Sequence, residues 1–342
     1  MKSNKIIRGA LVLLGIAALV ATSGSVYQIW ATAADMRAHP APGRLIDVDG
    51  LRYHLNCMGI GSPTVILEAG LGESSLSWYP VQAEIAKTTR VCAYDRAGLG
   101  WSDGMSEPMS PEQVAKTLHK LLQNAAIKPP FILVGHSRGG LFCRSFYHQF
   151  QDEIKGMVLV DSVHDNAAAR EFEFARWDYF LQKIQLIIAL PLSKIGFIRM
   201  MGWANADRQP SPLSGEILAA KTAVQNRTAT ARAVVNEITV MRKSLDSATP
   251  PPASLGSLPL VVLTSGKGID VELAKQNAVA KNRSVENAVA IAQTEKVLQQ
   301  ELAALSSSSK HLIATKSGHL IMYDQPDLVI NAVTDMVKAV AP

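Results

Sequence analysis

Residues Gly135-His136-Ser137-Arg138-Gly139 place a serine between two glycines, a pattern that suits nucleophilic catalysis. The apolar run Phe131–Val134 precedes this pattern, and helical spacing over 141–150 follows it. A sharp strand-to-helix turn strains the serine backbone, and glycine on both sides avoids the resulting clashes. The hydroxyl is then exposed at a helix N-terminus, which favours developing negative charge. We therefore predict Ser137 as a nucleophile.

A serine hydroxyl needs a base to remove its proton, and the chain has eight histidines. We predict His319 as the base, because it follows the last predicted strand, 311–314, and precedes the C-terminal helix. Loops at the carboxyl ends of strands in an open α/β sheet face the site crevice. His136 lies inside the serine turn, where we expect its side chain to point away from the nucleophile.

The elements around these residues alternate between strands and helices, which predicts a largely parallel sheet with helices on both faces. Asp49-Gly50 lies between two alternating runs and predicts a hairpin. The segment 162–258 lacks strand character and predicts a helical cap inserted after the sixth strand. Part of that cap is unusually apolar, which favours an apolar substrate. The apolar cap residues are Phe172, Phe174, Trp177, Phe180, Ile184, Leu186, Ile187 and Ile188.

The N-terminus combines three early basic residues with the apolar run Gly9–Ala21. This order places the N-terminus in the cytoplasm. We predict an uncleaved membrane anchor over 1–34 and a linker over 35–43. The alternative is a cleaved signal peptide, because small residues at 21–23 and 31–33 offer cleavage sites. Both put the catalytic domain on the periplasmic or extracellular side.

Composition narrows the function further. The 342 residues are 48% hydrophobic and 18% charged, which is ample for a buried core. The net charge is +5, but the basic residues are scattered, so we do not predict nucleic-acid binding. The three cysteines form no C-x-x-C pattern or Cys/His cluster, so we predict no metal. The predicted chemistry needs no cofactor.

The serine turn and the order serine, acid, histidine resemble the α/β-hydrolase superfamily over about 44–162 and 258–340. Within this superfamily, the sequence resembles bacterial hydrolases that have an N-terminal membrane anchor. Residues Tyr94–Ser102 resemble the D-R-x-G-x-G-x-S turn of its esterases, epoxide hydrolases and dehalogenases, where that turn is mainly structural. Asp95 and Arg96 therefore receive no catalytic role. The resemblance implies a core formed by 44–161 and 259–342, with 162–258 as the cap.

The resemblance also implies an acid that orients the histidine. Its usual place, after strand seven, holds Asp270, whereas some relatives use the end of strand six, where Asp161 lies. We prefer Asp161, because a strand end positions a side chain more firmly than a flexible loop. Asp270 stays the alternative, and Asp165 is a weaker one that is better explained as a helix cap or a surface residue.

The implied oxyanion hole consists of two backbone amides. One is that of Arg138, and the other, by position after the third strand, is that of Leu71. Many relatives have His-Gly where this chain has Ala69-Gly70. In the implied strand order the strands that carry Cys57 and Cys92 are neighbours, so an oxidising compartment would allow a disulfide and leave Cys143 free. The alternative is three apolar core thiols.

Epoxide hydrolases and dehalogenases of the superfamily use an aspartate nucleophile, so a serine favours acyl transfer to water. We predict an esterase or lipase-like serine hydrolase that cleaves an apolar, lipid-like ester through an acyl-enzyme. The alternatives are a proline-releasing aminopeptidase, an amidase or a carbon–carbon hydrolase. A non-enzymatic alternative is a ligand-binding protein on the same fold.

Overall fold

The computed structural model describes residues 2–167, 170, 184, 187–202, 213, 215–246 and 253–341. Eight strands in these residues form one sheet. They are β1 (Arg44–Val48), β2 (Leu51–Met58), β3 (Thr64–Glu68), β4 (Val91–Tyr94), β5 (Phe131–His136), β6 (Ile154–Val160), β7 (Leu260–Ser265) and β8 (Ser309–Ala314). The order is β1-β2-β4-β3-β5-β6-β7-β8. The β1–β2 and β2–β4 pairs are antiparallel and the others are parallel. The predicted mostly parallel sheet is confirmed.

Helices cover both faces of the sheet and fill the described part of the cap. They are α1 (Lys2–Ala38), α2 (Tyr79–Ile85), α3 (Pro111–Asn124), α4 (Arg138–Gln149), α5 (Phe197–Met200), α6 (Gly215–Gln225), α7 (Thr228–Asp246), α8 (Val271–Ala280), α9 (Val285–Ala303), α10 (Ile321–Asp324) and α11 (Pro326–Val340). Residues 187–194 are also helical. Between β6 and β7 the described residues contain no strand, in agreement with a helical cap after strand six.

The apolar cap residues noted in the sequence are only partly described. Ile184, Ile187 and Ile188 are exposed. The others, Phe172, Phe174, Trp177, Phe180 and Leu186, lie outside the described residues. The preference for an apolar substrate therefore stays a prediction.

The hairpin forms as predicted, because Asp49 (φ 53°) and Gly50 (φ 86°) both adopt the left-handed conformation that a tight hairpin turn needs. The boundary of the N-terminal segment differs from the prediction. Helix α1 continues to Ala38, so 35–38 are helical rather than linker. Alanine-rich sequence supports a helix, and the first proline after it is Pro40.

A disulfide joins Cys57 to Cys92, and Cys143 is a buried free thiol. The two bonded cysteines lie directly opposite each other in the antiparallel β2–β4 pair. The bridge predicted from the strand order is therefore present, and the alternative of three core thiols is wrong.

Candidate active site

Ser137 occupies the turn between β5 and α4 in a strained backbone conformation. Its φ of 53° and ψ of −123° lie outside the regions that a serine ordinarily adopts. Two flanking glycines let neighbouring backbones approach. A Cβ on Gly139 would lie 2.3 Å from the Glu68 carbonyl oxygen, and one on Gly135 would lie 2.6 Å from the Gly140 Cα. These contacts explain the residue types around the serine.

Hydrogen bonds hold the strained turn in place. The Ser137 amide donates to the Val160 carbonyl at 3.0 Å. Its carbonyl accepts from the Gly140 amide at 3.1 Å and from the Val163 amide at 3.0 Å. The Ser162 hydroxyl donates to the same carbonyl at 3.2 Å. Strain of this kind persists where the surroundings over-determine it, as they do between β5, β6 and α4.

Asp161 lies directly after β6 and bonds the ring of His319. The Asp161 Oδ2 and the His319 Nδ1 are 2.7 Å apart, so this nitrogen donates. The other oxygen, Oδ1, accepts the Ser265 amide at 2.7 Å. Asp161 itself has a φ of 42°, which turns its side chain toward the site. The carboxylate is thus fixed at both oxygens, by the end of β7 and by the histidine.

The electrostatic surroundings of His319 favour its protonated form. Burial lowers the pKa of the imidazole, but the hydrogen bond and charge of Asp161, together with the charge of Glu73, outweigh it and raise the pKa above 6.5. An imidazolium that forms during a reaction is stabilised by the same charges.

The other two candidate acids lie elsewhere. Asp270 caps helix α8, where its side chain accepts the Leu273 amide at 3.0 Å. Asp165 pairs with Arg144 at 2.8 Å. Of the three aspartates, Asp161 is the one that the structure brings to His319.

Within the described residues, the ring of His319 bonds to Asp161 and its carbonyl accepts from His136, and no hydrogen bond joins it to Ser137. Hydrogen bonds between a nucleophile and its base often tighten only when substrate binds.

His136 and Glu73 form a polar pair beside the site that the sequence analysis missed. The His136 ring lies 4.7 Å from the His319 ring, and its Nε2 donates to the His319 carbonyl at 3.0 Å. Its Nδ1 faces Glu73 at 3.2 Å. The sequence did not indicate that the His136 ring would contact the predicted base; its expected direction away from Ser137 stays a prediction. Its ring supports the loop that carries His319.

Glu73 remains ionised in this setting. Burial raises the pKa of its carboxyl group, but His136, Lys221 and His319 outweigh burial and lower the pKa to about 2. Lys221 belongs to cap helix α6 and is itself buried. A negative charge from the cap side of the sheet thus acts on His319, and no sequence pattern near residue 73 indicated it.

The proposed oxyanion donors lie on two segments that touch. The Gly139 backbone packs against the carbonyls of Glu68 and Ala69, which brings the start of α4 to the 69–72 loop. Arg138 is the first residue of α4, so its amide has no acceptor within the helix. The Leu71 amide lies in the loop on the other side of that contact.

Arg96 fixes the 69–72 loop through hydrogen bonds to its backbone. Its guanidinium donates to the Ala69 carbonyl at 2.8 Å and to the Gly70 carbonyl at 2.6 Å. It also pairs with Glu68 at 2.6 Å and with Glu237 at 2.7 Å. The structural role expected for this turn agrees with these contacts.

The Arg96 network contains two carboxyl groups, that of the buried Glu68 in the sheet and that of Glu237 in the cap. Burial raises the pKa of Glu68 to about 7, even though Arg96 and Tyr94 oppose that change. Glu237 comes from cap helix α7, and its Oε2 accepts the Gly72 amide at 3.0 Å. The network therefore joins the 69–72 loop to the cap, a connection that spacing in the sequence did not indicate.

The Arg138 side chain is mostly buried, and one of its nitrogens has no hydrogen-bond partner among the described residues. It is 4% exposed, and its Nε forms no hydrogen bond. Its guanidinium carbon lies 5.4 Å from the centre of the Phe142 ring. Burial lowers the pKa of Arg138. The charge of Glu237 raises this pKa and the charge of Arg96 lowers it, and both effects are smaller than that of burial. A buried guanidinium of this kind carries a desolvation cost.

The described residues contain no group of three or more His, Cys, Asp or Glu side chains that could hold a metal ion. The groups that the sequence predicted for catalysis are the hydroxyl of Ser137, the imidazole of His319, the carboxylate of Asp161 and two backbone amides. Such a set can perform nucleophilic attack with proton transfer.

The profile of the family described as alpha/beta hydrolase fold matches residues 63–245, more than half of the chain. The chain belongs to this family. Its sheet order, serine turn and histidine loop agree with that assignment, and family membership supports a hydrolase.

Individual relatives agree at the level of the fold. An AB hydrolase superfamily protein of Gibberella zeae is 25% identical over 303 residues, which cover 81% of this chain and 87% of that protein. The uncharacterized protein YqjL of Bacillus subtilis is 34% identical over 126 residues, which cover 36% of this chain and 50% of that protein. The match therefore spans only half of that relative's length. The Cif epoxide hydrolase from Acinetobacter nosocomialis has a TM-score of 0.65 at 17% identity, covering 92% of this chain and 96% of that structure.

Proposed function

We propose that this protein is a serine hydrolase that cleaves a carboxylic ester through an acyl-enzyme on Ser137. The observations that carry the proposal are the strained serine at the β5–α4 turn and the bond of His319 to Asp161, which directly follows the neighbouring strand β6. The serine separates this chain from the aspartate-dependent epoxide hydrolases and dehalogenases that share the fold.

In the proposed first step, the Ser137 oxygen attacks the ester carbonyl while the Nε2 of His319 takes its proton. Asp161 holds the proton on Nδ1, which leaves Nε2 free to accept. The amides of Leu71 and Arg138 would stabilise the oxyanion. His319 then protonates the leaving alcohol, and an acyl-enzyme remains. In the second step His319 activates a water molecule, which releases the acid and restores the serine.

An aminopeptidase or amidase is less well supported. A proline-releasing aminopeptidase needs an acid that can bind the substrate amine, and two acids lie near the 69–72 loop. Glu237 is paired with Arg96 at 2.7 Å, and Glu73 faces His136 at 3.2 Å. Because both acids already have partners, the described residues near this loop favour an ester over the substrate of a proline-releasing aminopeptidase. The proposed preference for an apolar, lipid-like acyl group rests on the sequence of the cap.

We also infer that α1 stays attached as a membrane anchor, with the catalytic domain outside the cytoplasm. Within the described residues one helix, Ile6–Ala38, is long and apolar enough to span a membrane. Cleavage near 31–33 would remove Gln28, which is 2% exposed and bonded to the cap at Asn226, whereas cleavage near 21–23 would leave this contact in place. The disulfide fits an oxidising compartment.

Two measurements test the proposed activity. Ser137→Ala should abolish both covalent labelling by a fluorophosphonate probe and hydrolysis of p-nitrophenyl esters, while the fold persists. Ser145→Ala, in the helix α4 that follows Ser137, is the matched control and should label like the unmodified protein. A series of p-nitrophenyl esters of graded chain length tests the apolar preference. Labelling that survives in Ser137→Ala would refute the nucleophile assignment.

A further inference from the structure

Helix α1 has two parts with different surroundings. The apolar side chains from Ile6 to Val20 are all exposed, for example Ile6 at 73% and Leu19 at 68%. The part that begins at Gly24 packs one face against the cap, while Val26, Ile29 and Trp30 stay exposed on its other face. At 1.5 Å per residue, the distance from Gly9, where the apolar run begins, to Tyr27 is about 27 Å, close to the thickness of a bilayer's hydrocarbon core. Residues 24–27 therefore fall near the outer boundary of that core when α1 spans a membrane.

Close backbone contacts fix the second part of α1 on the cap. A Cβ on Gly24 would lie 2.3 Å from the Ile195 carbonyl oxygen, so only a glycine allows this approach. On the cap side, a Cβ on Gly196 would lie 3.2 Å from a ring carbon of Tyr27. The helix and the 195–196 segment thus meet at the level of residues 24–27.

Polar contacts extend this attachment along the helix. The buried Gln28 amide donates to the Asn226 carbonyl at 2.8 Å. Arg199 pairs with Asp35 at 2.5 Å and donates to the Gln28 side chain at 3.1 Å. Buried polar groups of this kind are costly to separate. The anchor is therefore attached rigidly, and the direction of α1 sets the orientation of the cap.

The same cap segment exposes large apolar side chains. Ile187 is 66% exposed, Ile188 45%, Met200 69% and Met201 50%. They flank Ile195 and Gly196, which touch α1 at the level where it would leave the hydrocarbon core. Clustered exposed apolar side chains mark protein or membrane contacts, and continuity with the apolar part of α1 favours a membrane.

We propose that residues 187–201 form a second membrane contact, which inserts its apolar side chains into the outer-leaflet interface of the bilayer that α1 spans. The proposal rests on the proposed anchor and not on the hydrolase activity. It makes the cap, rather than the opposite edge of the sheet, the surface next to lipid. An ester dissolved in the bilayer would then lie close to the cap.

The cysteine content of the chain makes a direct test possible. Cys57 and Cys92 are joined, and Cys143 is 3% exposed, so an added surface cysteine is the accessible thiol. The full-length protein is reconstituted in phosphatidylcholine vesicles with a single NBD label at Met200→Cys or Ile187→Cys. Quenching by doxyl-labelled lipid then reports contact with the acyl chains.

Two labelled variants serve as controls. Ile60→Cys lies in the β2–β3 loop, at the end of the sheet opposite the serine turn, and Ile60 is 84% exposed. Leu14→Cys reports the span itself. We expect quenching at Met200→Cys, Ile187→Cys and Leu14→Cys to be at least twofold stronger than at Ile60→Cys.

Three outcomes would overturn the proposal, and none of them depends on hydrolysis. If Leu14→Cys is quenched but the two cap labels behave like Ile60→Cys, the anchor holds and the second contact is refuted. If the cap labels are shielded from water but not quenched by lipid, a protein covers the segment. If Leu14→Cys is not quenched, the anchor and the second contact both fail.

Discussion

Replacement of Asp161 by asparagine tests how His319 is oriented. The Ser265 amide can only donate, and it donates to Oδ1 of Asp161 at 2.7 Å. In Asp161→Asn the carbonyl oxygen of the side chain must face that amide, which turns the NH2 group toward the Nδ1 of His319. Nδ1 must then accept, and the proton moves to Nε2. A ring protonated at Nε2 cannot take the proton of Ser137.

The magnitude follows from the two arrangements that the asparagine can adopt. The opposite orientation would restore the useful tautomer, but it would face two donors toward each other and leave a buried amide unsatisfied, at about 1–3 kcal/mol. It would also lack the negative charge that stabilises the imidazolium. We therefore expect kcat to fall by about 10²–10⁴-fold, the upper limit being the loss for a comparable substitution in another serine hydrolase. At 1.36 kcal/mol per decade this is about 2.7–5.4 kcal/mol.

The assay is steady-state hydrolysis of a p-nitrophenyl ester, with circular dichroism to confirm the fold. Asp270→Asn is the matched control, because Asp270 caps α8 and asparagine caps a helix equally well. Its kcat should stay within about twofold of the unmodified protein. A loss of less than tenfold in Asp161→Asn would show that Asp161 does not orient the base. A large loss in Asp270→Asn would move that role to Asp270.

Three further predictions concern pH, the buried arginine and the disulfide. The raised pKa of His319 means that kcat/KM should fall as the pH is lowered through a midpoint above 6.5, because only the neutral imidazole accepts a proton; a pH profile with a lower midpoint would contradict this. Arg138→Met should raise the free energy of unfolding by about 1–3 kcal/mol in denaturant titrations, because it removes a mostly buried guanidinium whose Nε forms no hydrogen bond, and a decrease would show that Glu237 or solvent compensates the charge. Thiol counting in denaturant without reductant should give one free thiol, since Cys57 and Cys92 are bonded, and three would exclude the bridge. Reduction should lower stability by about 3–4 kcal/mol, from closure of a loop of 35 residues.

The features that the sequence determined by itself are local. The Asp49-Gly50 hairpin depends on the conformational freedom of adjacent residues, and both adopt positive φ. The serine turn depends on an apolar strand, two glycines and a helix within one short segment, and β5 and α4 form around it as predicted. Such patterns can be recognised because the interactions that fix them act between residues close in the chain.

The choice between two acids needed the tertiary structure. Asp161 and Asp270 each follow a strand, and the carboxyl ends of these two parallel strands lie at the same end of the sheet. Their positions in the sequence therefore support either residue equally well as the acid. What separates them is the exact path of two loops. The positive φ of Asp161 turns its carboxylate between the Ser265 amide and His319, whereas Asp270 turns away to cap α8.

Contacts between distant segments also needed the tertiary structure. Glu73 meets His136, Glu237 meets Arg96, and Gln28 meets Asn226, and each pair is separated by more than sixty positions in the chain. No periodicity or motif encodes such pairs, because they depend on how loops, the cap and α1 pack against the sheet. The chemistry of the serine turn was therefore readable from the sequence, while the charges that surround His319 and the attachment of the anchor were decided by the packing of segments far apart in it.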